Sequence, residues 1–252
     1  MSKITFSSDD RIYRITLNDP PLNILDIEML GELRDAIGRV SNDRHALVID
    51  AAGEKAFSAG ASVPDHLGAR VGSMLQRFHD CFRALEKIEM PTIAVVRGAA
   101  LGGGCELAMG CDFVLASERA RFGQPEILLG VFPPVAAFQL SHLTPARKGL
   151  ELLLTGDPVD ATTAAALGMV NAVFALDGFD EAVNGWIARL SRQSASSLRF
   201  AKKAFRIAQG GDFEQRLAQI ERLYLDELMK TLDANEGLAA FMEKRKPVWK
   251  NE

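Results

Sequence analysis

The run PTIAVVRGAALGGGCELAMGCDFVLAS, residues 91–117, limits the folds open to this chain more than any other segment. Thr92–Gly98 is a short apolar, β-branched stretch of the kind that forms a buried strand. Three glycines follow at 102–104, and then a run of small and apolar residues suited to a closely packed helix. A second strand-like run, DFVLAS, begins at 112. Strand, tight turn, helix and strand in this order point to α/β connections and parallel pairing. Although this is the most apolar part of the chain, Arg97, Glu106 and Asp112 interrupt it, which argues against a membrane span.

The flanking sequence extends the pattern. Residues 3–17 alternate polar and apolar around Asp9-Asp10-Arg11 and predict a β-hairpin, which Asp19-Pro20-Pro21 ends. Ile27, Leu30, Leu33, Ile37 and Val40 recur at helical spacing, as do Met74, Phe78, Phe82 and Leu85. Residues 45–51 and 169–175 predict further strands, and 52–68 a long Gly/Ser/Ala loop. From Gly178 onward the pattern is almost wholly helical, with Phe213, Leu217, Ile220, Leu223 and Leu228 on one stripe. The 252 residues therefore divide into an α/β core over 1–190 and a C-terminal helical region over 191–252, with no internal repeat.

Composition removes several functions. Hydrophobic residues at 48% supply enough apolar surface to offset chain entropy, so the chain is not disordered. A net charge of -4 provides no basic field for nucleic acid. Cys81, Cys105 and Cys111 lie in apolar stretches with no C-x-x-C and read as buried, reduced thiols in a reducing compartment. The N-terminal residues contain no apolar core of signal-peptide length. A cytoplasmic protein with no membrane partner is expected. His45, His79 and His142 are scattered and show no metal-ligand spacing. His66, in the loop after Ala61, faces either a site or, on the simpler reading, solvent. A dinucleotide fingerprint starting at Gly102 fails at Leu107, and both a phosphate-binding lysine loop and a G-x-S-x-G elbow are absent.

Two carboxylates carry the chemistry. Glu106 stands in the otherwise uncharged GGGCELAMG, where a glutamate is costly unless paired or functional. Glu126 follows Gln124-Pro125 and precedes Ile127-Leu128-Leu129. Two such groups suit general acid–base work if their surroundings separate their protonation states. The competing reading makes Glu106 a salt-bridged structural acid and Glu126 a first-turn helix residue. The glycines at 102–104 permit close approach of a ligand to the backbone and a helix start that stabilises an oxyanion, or serve only as a tight turn.

Taken together, KAFSAGA (55–61), the block 91–130, LLLTGDPVDATTAAALGMVNAVF (152–174) and FMEKRK (241–246) resemble the crotonase, or enoyl-CoA hydratase/isomerase, superfamily across almost the whole chain. The resemblance implies a spiral of ββα units followed by a helical trimerisation region. It implies an acyl-CoA thioester as ligand and a homotrimer, or a hexamer of paired trimers, as the assembly. By motif, the backbone N–H groups of Ala61 and Gly103 would hold the thioester oxygen. The hydratase glutamates match Glu106, as the base that activates water, and Glu126, as the proton donor to carbon. Isomerase-type members commonly keep only the second, so the pair favours hydration. Lys55 and Ala59 would lie near the nucleotide and Leu22 along the pantetheine. Phe241 and Lys244 would reach the ligand from the C-terminal helix, of the same or a neighbouring subunit; a solvated helix end is the alternative for Lys244. No cofactor or metal is expected, since coenzyme A is part of the substrate and water supplies both added groups.

Two departures from the family pattern matter. Ser62 stands where members often carry Asp. After Glu126, the usual Gly-rich stretch is replaced by Val131-Phe132-Pro133-Pro134-Val135-Ala136-Ala137-Phe138. Phe132 and Pro134 would shape the acyl pocket, and GVFPPVA resembles family members that hydrate cyclohexa-1,5-diene-1-carbonyl-CoA. The alternatives are hydration of a short linear enoyl-CoA, double-bond isomerisation through Glu126, and an acyl-CoA-binding member without turnover.

Overall fold

The computed structural model describes residues 2–209 and 213–251, apart from the side chains of Phe213, Glu214, Arg216, Ala218 and Phe241. Its strands in chain order are β1 (Ile4–Ser8), β2 (Ile12–Leu17), β3 (Ala46–Ala51), β4 (Ala56–Ser58), β5 (Thr92–Val96), β6 (Ala99–Leu101), β7 (Phe113–Ser117), β8 (Arg121–Gly123), β9 (Val159–Asp160) and β10 (Ala172–Phe174). The helices are α1 (Ile27–Gly38), α2 (Arg70–Glu86), α3 (Gly103–Met109), α4 (Pro134–Leu143), α5 (Ala146–Thr155), α6 (Ala161–Ala166), α7 (Phe179–Leu190), α8 (Ala195–Ala208), α9 (Phe213–Arg222) and α10 (Leu232–Met242).

The strands form two sheets. The larger has the order β1-β2-β3-β5-β7-β10, with the β1–β2 hairpin antiparallel and the other pairs parallel. Alternation sorts its side chains between two clusters. Leu47, Ile49, Ala94 and Val96 face α1, α2 and α3, whereas Ala46, Val48, Ile93, Val95 and Leu115 face Phe179, Val183 and Ile187 of α7. Burial on both faces is why β3 and β5 read as continuous apolar runs.

The smaller sheet, β4-β6-β8-β9, is the part the sequence pattern does not predict. Its strands are two or three residues long, too short for periodicity to register. Residues 52–68 are therefore not wholly loop, because Ala56–Ser58 pairs in parallel with β6. The predicted strand at 169–175 is confined to Ala172–Phe174. The two sheets together bring the Gly60–Ala61 backbone and the Glu126 carboxyl, just after β8, up to the 102–103 turn. No helix among the described residues is long and apolar enough to cross a membrane.

Candidate active site

Glu106 projects from α3, whose N-cap is Gly102 at φ 51°, a conformation that glycine adopts without a Cβ penalty. Only 3% of Glu106 is exposed. Its Oε1 accepts the backbone N–H of Ala136 at 2.7 Å, so the partner is an amide rather than the cation that the salt-bridge reading requires. That amide lies in the first turn of α4, where Pro133 is the N-cap and Pro134 the first helical residue; the prolines start the helix and leave its early N–H groups to bond outward. Gln139 donates its Nε2 to the Glu106 carbonyl at 3.0 Å, tying α4 to α3. Burial pushes the Glu106 carboxyl up to about 8; the Ala136 and Val135 amides pull it down, and the nearby Glu126 adds to the rise.

Glu126 lies in a 3₁₀ turn, Pro125–Leu129, just after β8. Its carboxyl rests over Gly102: a Cβ at that glycine would come within 3.0 Å of Glu126 Cδ. Its Oε2 is buried and has no hydrogen-bond partner among the described residues. Burial raises this carboxyl as well, against a smaller downward pull from its own backbone N–H. Both acids are thus displaced upward from the ordinary carboxylate range, each chiefly by burial.

Beside the Gly102 turn two backbone amides come together. A Cβ on Gly103 would approach Ala61 N at 3.3 Å and the Phe78 ring at 3.0 Å, so the 61 and 103 backbones meet under α2. Gly103 opens α3 and has no intrahelical acceptor for its N–H. Ala61 sits between Gly60, whose carbonyl accepts from Leu25 N–H, and Ser62, whose N–H donates to the Leu25 carbonyl. Among the described residues, neither the Ala61 nor the Gly103 N–H is taken up by a protein acceptor. Two carboxyls with unequal environments, beside two free amides, form a site equipped for proton transfer next to a developing oxyanion.

Residues 7–252 match the model of the enoyl-CoA hydratase/isomerase family. The chain belongs to that family. It is 38% identical to cyclohexa-1,5-dienecarbonyl-CoA hydratase of Thauera aromatica, over 99% of this chain and 96% of that protein. It is 32% identical to short-chain-enoyl-CoA hydratase of Clostridium acetobutylicum, over 98% and 97%. The crystal structure of enoyl-CoA hydratase from Bacillus anthracis superposes with a TM-score of 0.93 at 28% identity, covering 99% of this chain and all of the other. The crotonase fold, with its C-terminal helices, is thereby established.

The remaining residues singled out from the family pattern are distributed unevenly. Leu22 and Ala59 are neighbours, the Ala59 N–H donating to the Leu22 carbonyl at 2.9 Å, and Lys55 is exposed at the start of the same β4 edge. Phe132 and Pro134 are exposed in the single chain, whereas Pro133 and Ala136 are buried toward Glu106. Lys244 is exposed just beyond α10, which packs on α8, so it is not joined to the acids within one chain. The side chain of Phe241 lies outside the described residues. Ser62 precedes a 3₁₀ turn, Val63–His66, and His66 is half-buried rather than solvent-exposed.

Three residues escaped sequence reasoning. Gln139 supports Glu106, and its only signal was one amide in an apolar helix. Gln124 is 1% exposed, and neither of its amide atoms is bonded among the described residues. Asn23 donates to the Ala52 and Ala56 carbonyls at 3.0 and 2.9 Å, fixing the turn that carries Leu22; nothing local in the sequence marks it.

Proposed function

We propose that this chain is a hydro-lyase that adds water to the double bond of an α,β-unsaturated acyl-CoA thioester. The observation that carries this reading is the buried carboxyl of Glu106 and the half-buried Glu126, whose carboxyl lies over Gly102, next to two unused amides.

The Ala61 and Gly103 N–H groups hold the thioester oxygen and stabilise the negative charge that builds there as water attacks the β-carbon. Such donors are aimed before reaction, and each contributes about 2.7–4 kcal/mol. Glu106 in its charged form takes a proton from water as the new C–O bond forms and the π bond opens. Glu126 in its neutral form gives its proton to the α-carbon. The proton then resides on Glu106 and Glu126 is charged. That state is also the one that starts dehydration, so a singly protonated pair serves both directions. No cofactor enters this chemistry. Coenzyme A is bound by Lys55, Ala59 and Leu22, with Phe241 and Lys244 contributed across a subunit boundary.

For the acyl group, cyclohexa-1,5-diene-1-carbonyl-CoA is the first reading. It is supported by the Thauera aromatica relative and by Phe132-Pro133-Pro134 in place of a Gly-rich stretch. A short linear enoyl group is the second, supported by the Clostridium acetobutylicum relative. A homotrimer, or a hexamer built from trimers, fits the exposed Leu225, Leu232, Leu238 and Met242 of the C-terminal region. Assaying crotonyl-CoA beside the cyclic dienoyl thioester, with products weighed by mass spectrometry, tests the reading. A mass gain of one water on the cyclic substrate supports it, a gain on crotonyl-CoA alone selects the second acyl group, and no gain on either refutes hydration.

A further inference from the structure

The direction of the Ala61 N–H is set by how Gly60 is held. Residues 59–62 run beside 22–25: the Ala59 N–H donates to the Leu22 carbonyl at 2.9 Å, the Leu25 N–H to the Gly60 carbonyl at 3.0 Å and the Ser62 N–H to the Leu25 carbonyl at 3.2 Å. Leu25 and Ala61 are thus parallel partners, and Ala61 uses neither of its own backbone groups in the pair. A trans peptide points its C=O and N–H in opposite directions. The Leu25 bond to the Gly60 carbonyl therefore turns the Ala61 N–H away from 22–25.

That bond restrains one of the two peptides flanking Gly60, and a side chain restrains the other. Ser58, the last residue of β4, is fully buried, and its Oγ accepts the Gly60 N–H at 3.1 Å. Gly60 needs such a restraint, because its φ is 107° and glycine imposes little preference of its own. A Cβ at Gly60 would stand 3.0 Å from the Leu101 carbonyl oxygen and 3.6 Å from Gly103 N, so Gly60 packs on the turn leading into α3. Ser58 reaches α3 as well: a Cβ on Gly104 would stand 2.7 Å from Ser58 Cβ. One buried residue thus abuts both segments that carry the unused amides.

We propose that Ser58 is a positioning residue of the oxyanion site: by accepting the Gly60 N–H, its hydroxyl oxygen holds Gly60 at its positive φ and keeps the Ala61 N–H aimed beside that of Gly103. Being fully buried, Ser58 acts through Gly60 and not on the ligand. Ser58→Ala leaves the buried Gly60 N–H without that acceptor, and the chain rotates about Gly60 to find another.

This inference rests on Ala61 and Gly103 holding the thioester oxygen, and it is tested without turnover. Butyryl-CoA carrying 13C at the thioester carbonyl is bound to the native chain, Ser58→Ala and Ser58→Thr, and its C=O stretch is read by isotope-edited infrared difference spectroscopy. Two aimed amides lower that band in the native protein relative to the free thioester. Ser58→Ala loses most of the lowering, and Ser58→Thr, which keeps the oxygen, retains it. In parallel, kcat of Ser58→Ala is expected to fall by about 10²-fold, the scale of a misplaced reacting group, with little change in the Kd of butyryl-CoA. A native band in Ser58→Ala overturns the proposal, as does an equal rise in both variants, which marks a packing effect. Should Ser58→Ala fail to fold, Ser58→Cys decides: sulfur fills the space but accepts weakly, so a partial rise is expected and an unmoved band refutes the role. If the native protein itself leaves the band at its free position, the oxyanion reading fails and this inference with it. A lowered native band that Ser58→Ala preserves removes only the role of Ser58.

Discussion

The backbone N–H of Ala136 meets Glu106 Oε1 at 2.7 Å, across the interface between the first turn of α4 and the middle of α3. A buried carboxyl held by an amide rather than by a cation keeps its orientation while remaining able to carry a proton at neutral pH. An arginine in the same place would lock it into the charged form. The double proline at 133–134 thus acts at the backbone level, starting α4 where its N–H groups reach Glu106.

Glu106→Gln separates activity from stability. Activity falls by about 10²–10⁴-fold, the usual contribution of a general acid or base. Stability rises, because glutamine still accepts the Ala136 N–H and no longer opposes burial. The Glu106 carboxyl is pushed from 4.5 up to about 8 on folding, so the native chain holds that proton more tightly than the unfolded one. Its contribution is full below the unfolded value and is lost as pH rises through the folded one, at about 1.4 kcal/mol per unit crossed. Denaturant melts of both proteins at pH 5 and pH 8 check this: the variant gains at pH 8 relative to pH 5.

The pH profile follows from the shared proton. Turnover needs one proton on the pair, so it declines on the alkaline side as Glu106 ionises near 8 and on the acid side as both acids become neutral. Initial rates between pH 4 and 10 with saturating thioester are expected to give a bell, and a flat profile up to pH 10 contradicts the shared-proton account.

Gly102→Ala tests the packing of the turn. A methyl there comes up against the Glu126 carboxyl, and the φ of 51° strains any L side chain by about 1–2 kcal/mol. Displacement of Glu126 is expected to lower kcat by about 10²-fold, with a smaller change in thioester affinity. Stopped-flow turnover and equilibrium binding of a saturated acyl-CoA separate the two effects.

The sequence made some of this site legible and hid the rest for physical reasons. The larger sheet, α1 and α2 are visible because the β1–β2 hairpin alternates, the strands buried on both faces run continuously apolar, and the amphipathic helices repeat every 3.6 residues. Glu106 stands out as a charge inside an apolar run, and Glu126 through its motif. The smaller sheet is hidden because two- and three-residue strands leave no period. The Ala136 amide is hidden because a backbone donor leaves no mark on residue identity. His66 reads as a solvent residue because its half-burial comes only with the 3₁₀ turn 63–66, which brings its Nδ1 to 2.9 Å from the Ser62 carbonyl.

Specificity is expected to follow the 131–138 segment. Phe132→Ala with Pro134→Ala removes bulk and rigidity near the mouth of the site, so the kcat/KM ratio for cyclic over linear thioesters falls by about tenfold, on the order of one lost apolar contact. An unchanged ratio, measured by competition between the two thioesters, removes this segment from substrate choice.

The central claim, that Glu106 and Glu126 together add water to carbon, is tested most directly by turnover in 18O-labelled water. Mass spectrometry of the acyl-CoA product is expected to show one 18O atom on the acyl chain with native protein and none with Glu106→Gln. A product of unchanged mass with a shifted double bond, or equal label incorporation by the Glu106→Gln variant, contradicts the account.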